Sequence, residues 1–71
     1  MDDIGNADRV ALMQRLGVLK VEHRDLDVAI QHLAKDPAHD QLQLTRLKRR
    51  KLLLKDQIAR IEREIDPDVL A

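Results

Sequence analysis

Leucine returns every seventh residue at Leu12, Leu19, Leu26 and Leu33, with Leu16, His23 and Ile30 falling between. Alternating steps of three and four residues are the apolar stripe of a helix that packs lengthwise against another. After a short interruption the stripe resumes as Leu44, Leu47, Lys51, Leu54, Ile58, Ile61 and Ile65. The pattern predicts two helices, over about residues 7–35 and 41–65, in which His23 and Lys51 are the polar members of an otherwise aliphatic seam.

The interruption is Asp36-Pro37-Ala38-His39-Asp40. Pro37 has no N–H to donate and disfavours helical geometry at Asp36. Asp40 followed by Gln43 has the spacing of a capping box, with Asp in place of the usual Ser or Thr. Asn6 suits an N-cap, while Asp8 in the first turn and Lys35 in the last suit the helix dipole. Asp66-Pro67 is expected to stop the second helix, and the acidic segment Met1 to Gly5 to be frayed. At 71 residues the chain is read as one small helical domain.

Folding the chain back at this break brings seam onto seam. The layers become Leu33 with Leu44, Ile30 with Leu47, Leu26 with Lys51 and His23 with Leu54. Leu19 with Ile58, Leu16 with Ile61 and Leu12 with Ile65 complete them. The expected fold is all-α, a two-helix antiparallel coiled-coil hairpin. Its flanks agree in sign: Glu22 can reach Arg50, Arg15 can reach Glu64, and Asp27 can reach Lys48. Exposed pairs contribute about 0.2–1 kcal/mol each, so they select register more than they supply stability. Two rivals use the same seam. One is a continuous helix in an oligomer, which proline disfavours by about 3 kcal/mol. The other is an open chain pairing antiparallel with a second copy, as a domain swap does.

Composition narrows the chemistry. There is no Phe, Trp, Tyr or Cys, so the core is built from Leu, Ile, Val and Ala. Such a core suits a helix seam and offers little to a small-molecule substrate or cofactor, and neither is expected. Without cysteine there is no disulfide or thiolate metal site, consistent with a reducing cytoplasm. The start lacks the basic-then-apolar pattern of a secretion signal. No apolar run approaches the roughly 18 residues of a membrane span. The formal net charge is zero, so any attraction to nucleic acid must be local.

The polar residues of the seam region, Glu22, His23, Asp27 and Lys51, are candidates for fixing register. His23 is also a candidate pH-sensitive group, because histidine charges near neutrality and a buried cation is costly. The Lys51 stem can lie along Leu26 while its ammonium turns outward to Asp27 or Glu22. His23, His32 and His39 lack the spacing of a metal motif, and no carboxylate pair sits in an apolar setting, so no enzyme is expected. Arg46, Lys48, Arg49 and Arg50 are candidate phosphate contacts for a nucleic-acid role. Together with Lys51 they spread around most of the circumference of a helix, and a solvated, paired face explains them better. Val21, Val28, Leu52 and Leu53 fall outside the seam. They are the candidate interaction surface for a protein partner or a second copy, a four-helix bundle being the economical use of them.

Glu22-His23-Arg24 with Leu26-Asp27, followed by Leu47-Lys48, Leu52 and Leu54-Lys55-Asp56, resembles the small bacterial YdcH-like proteins, a family of unknown function. The likeness runs from about Leu16 to Glu64. It implies a freestanding bacterial helical hairpin and carries over no activity, cofactor or established site. In the register above it sets the family's recognisable blocks opposite one another, Glu22 across from Lys55 and Asp27 across from Arg50 and Lys48.

Overall fold

In the computed structural model residues 6–66 are described. Helix α1 spans Asn6–Lys35 and helix α2 spans Gln41–Ile65, and the two pack antiparallel as a hairpin. The expected fraying of Met1 to Gly5 and the role of Pro67 lie outside the described residues, as does the Asn6 side chain. The molecule measures 54 × 23 × 16 Å. Its length follows from α1, whose 30 residues rise about 45 Å at 1.5 Å each.

The turn is built by its aspartates. The Asp36 N–H donates to the Leu33 carbonyl at 3.2 Å, closing the last turn of α1. The Asp36 carboxylate accepts from the Ala38 N–H at 2.9 Å, an Asx turn that carries the chain across Pro37. Asp40, extended at φ −81° and ψ 112°, then caps α2. Its Oδ1 accepts from Leu42 N–H at 2.8 Å and Gln43 N–H at 3.2 Å, two of the donors a helix start leaves without an internal partner. At the far end the Asp66 N–H donates to the Glu62 carbonyl at 2.9 Å.

The core is the predicted seam. Leu19, Leu54 and Ile61 are buried together, with Leu12, Leu16, Leu26, Ile58 and Ile65 packed against them. Both members of the Leu12–Ile65, Leu16–Ile61 and Leu19–Ile58 layers belong to this cluster, as the antiparallel register requires. Ile30 and Leu44 are buried nearer the turn. The core is thin: these five are the buried apolar side chains among the described residues, and none is fully enclosed.

Candidate interaction surfaces

Two grooves run between the helices, one on each side of the seam, and they differ in charge. The first is lined from α1 by Lys20, His23 and Ile30. From α2 it takes Lys48, Lys51, Leu52, Lys55, Ile58, Ala59 and Glu62. The second holds Arg15, Val18, Leu19 and Glu22 facing Arg50, Leu53, Leu54 and Gln57. Leu52 and Leu53 are adjacent in sequence, but consecutive helical residues point about 100° apart. Each therefore edges a different groove, Leu52 at 65% and Leu53 at 63% exposed.

The four candidate contact residues thus do not form one patch. Val21 and Val28, seven residues and so about two turns apart, stand exposed on the back of α1, away from the seam. Val18, exposed at 59% and absent from the candidate list, shares the second groove with Leu53. The signal for it was helical geometry: Val18 lies four residues before Glu22 and so on the same side of α1.

The ion pairs follow the same division. In the second groove Arg50 lies 3.5 Å from the Glu22 carboxylate, the pair the flank pattern anticipates. Arg15 and Glu64 share a shallow depression with Asp8, Ala11 and Leu12. In the first groove the Lys51 ammonium donates to Asp27 Oδ1 at 2.6 Å, and Lys20 lies 3.5 Å from Glu62. Asp27 therefore takes Lys51, one of the two outward turns expected of that lysine, and not the flank partner Lys48. Glu22 and Lys55, which the register sets across from one another, border opposite grooves and do not pair. The same holds for Asp27 and Arg50, since Arg50 is turned to Glu22. The Lys51 bond holds the Asp27 carboxyl below its ordinary value; desolvation opposes it, and the charges of Lys51 and then His23 add smaller pulls downward.

His23 is half-buried on the floor of the first groove, and its Nε2 is buried without a hydrogen-bond partner. His39 instead serves the turn, its Nδ1–H donating to the Asp36 carbonyl at 2.8 Å. Among the described residues no group of three or more His, Cys, Asp or Glu is arranged to hold a metal ion. None of the described helices is long and apolar enough to cross a membrane.

The basic run is divided rather than gathered. Lys48 and Lys51 border the first groove and Arg50 the second, while Arg46 and Arg49 are exposed away from both linings. Arg46, Arg49 and Arg50, at i, i+3 and i+4, share one side of α2, whereas Lys48 and Lys51 face the first groove.

The architecture defines an antiparallel helical hairpin with two unlike lateral grooves. The chain belongs to the family described as Protein of unknown function (DUF465), which it matches over residues 17–62. This is the YdcH-like family that the Glu22–Asp27 and Leu47–Asp56 blocks resemble. The match spans both helices and the turn, and so covers every candidate residue named above. Comparison with curated proteins and with solved structures found no match.

Proposed function

We propose that this chain is a non-enzymatic interaction module that works in the cytoplasm and associates first with a second copy of itself. The observation that carries this is the aliphatic surface left over once the seam is filled. Val10, Met13, Val18, Val21, Val28, Leu42, Leu52 and Leu53 are each 47–65% exposed, beside five buried apolar side chains among the described residues. A hairpin that leaves these large apolar side chains exposed gains by covering them, and a four-helix bundle does so with the same packing rules.

The second groove is the better self-contact. Leu53 and Val18 flank it, and its central charges, Arg50 and Glu22, are already paired. In a two-fold contact Arg50 of one copy can face Glu22 of the other, and with Arg15 the lining carries only a single net positive charge. Sedimentation velocity of the full chain and of Leu53→Glu tests the proposal. The wild type is expected to sediment as a dimer or larger at micromolar concentration, and the variant as a monomer with its helical circular dichroism retained. A wild-type monomer, or an oligomer indifferent to Leu53→Glu, overturns it. Binding of duplex or single-stranded DNA that falls steeply with salt would move the assignment to Arg46, Lys48, Arg49 and Arg50.

A further inference from the structure

We propose that the first groove receives an acidic amphipathic helix from a different protein. This rests on the hairpin being an interaction module and gives its second, unlike face a partner of stated chemistry.

The groove has an apolar floor and a basic rim. Ile58, Ala59, Ile30 and the exposed Leu52 supply the floor, and lysines stand along the edges. Two of those lysines are satisfied within the hairpin, Lys51 by Asp27 at 2.6 Å and Lys20 by Glu62 at 3.5 Å. Lys48 and Lys55 have no ion-pair partner among the described residues, and both are exposed. They lie seven residues apart on α2, two turns or about 10.5 Å along the axis. Carboxylates seven residues apart on an incoming helix match that separation. The lining from Lys48 to Glu62 extends about 21 Å, the length of a helix of roughly four turns.

Charge also says what does not sit there. A symmetric contact between two such grooves would set Lys48 and Lys55 against the same lysines of the other copy, and like charges meeting at an interface disfavour it. The apolar floor argues against a nucleic-acid backbone, which needs phosphate contacts along its whole track, and no aromatic side chain is present on which a base would stack. A helix with an apolar stripe edged by carboxylates satisfies floor and rim together.

The test uses the full chain and a synthetic four-turn helical peptide with Leu at alternating three- and four-residue spacing and Glu at two flanking positions seven apart. A tryptophan in the peptide reports binding without interference, since the chain has no aromatic residue. The acidic peptide is expected to bind, with a Kd at least about tenfold tighter than a peptide carrying Lys in place of Glu. Lys48→Glu with Lys55→Glu should weaken binding by about tenfold or more, and Lys48→Gln with Lys55→Gln should do so without charge reversal. Arg24→Gln, exposed on α1 outside both groove linings, should leave it unchanged. Equal binding of both peptides, or indifference to both lysine double variants, overturns the proposal. So does lysine-dependent binding of duplex DNA or anionic phosphatidylserine vesicles as strong as that of the peptide. A wild-type chain that sediments as a monomer yet binds the acidic peptide would fault the self-contact through Leu53 and leave this groove assignment standing.

Discussion

Lys51 holds its ammonium 2.6 Å from Asp27, closer than the 3.5 Å of the Glu22–Arg50 and Lys20–Glu62 pairs that also join the helices. The bond places a lysine at a seam position without burying its charge. The stem covers the layer it shares with Leu26, and the head leaves sideways to the neighbouring helix. Gln31 supports the carboxylate from one turn further along α1, its amide donating to Asp27 Oδ2 at 3.4 Å.

Asp27 therefore makes stability depend on acid. Its carboxyl titrates below the ordinary 3.8 in the folded chain, so the unfolded chain takes up that proton first. The stabilisation is complete above the ordinary value and disappears as pH falls through the depressed one. Asp27→Asn is expected to melt below the wild type at neutral pH, with the difference closing as pH is lowered beneath the carboxylate range. Thermal melts followed by circular dichroism at a series of pH values read this directly. A difference that stays constant down to the acid limit would mean that Asp27 contributes no charge interaction.

The seam was legible because aliphatic residues at heptad spacing admit few packings, and because Pro37 and Asp40 mark where the direction must reverse. The Glu22–Arg50 pair and the outward turn of Lys51 to Asp27 followed from the same register. What escaped were features that depend on lateral reach. Lys20 and Glu62 sit off-layer, and long side chains close that diagonal only once the helix spacing is known. The division of Leu52 from Leu53 is implicit in the helical angle, yet adjacency in sequence suggests a single patch. The orphaned Nε2 of His23 depends on how closely neighbours seal the ring, which periodicity does not encode.

Gly17 offers a stabilisation unrelated to any contact. It lies inside α1, exposed, and a Cβ added there would meet nothing within 4 Å. Its φ is not positive, so nothing in the backbone requires glycine. Gly17→Ala removes unfolded-state freedom worth about 0.5–1 kcal/mol. For a domain of this size that corresponds to a rise in Tm of about 2–8 °C. A lowered Tm, measured where the chain is associated, would instead show that another helix approaches the backbone at Gly17.

His23 tests whether the seam is built for stability or for register. Its Nε2 is sealed from solvent without a partner, beside a seam in which Leu54 is the most deeply buried residue. An orphaned buried polar group costs about 1–3 kcal/mol. His23→Leu removes it and extends the aliphatic stripe, so Tm is expected to rise by several degrees. A polar group at a seam position also restricts which pairings are acceptable, and its removal relaxes that restriction. The same variant is therefore expected to sediment as a broader or larger set of species than the wild type. A more stable variant with unchanged sedimentation would leave register to Asp27 and Lys51, whose bond crosses the seam at one fixed layer. A lowered Tm would show that Nε2 is satisfied in solution, and that His23 holds the hairpin together through a bond formed there.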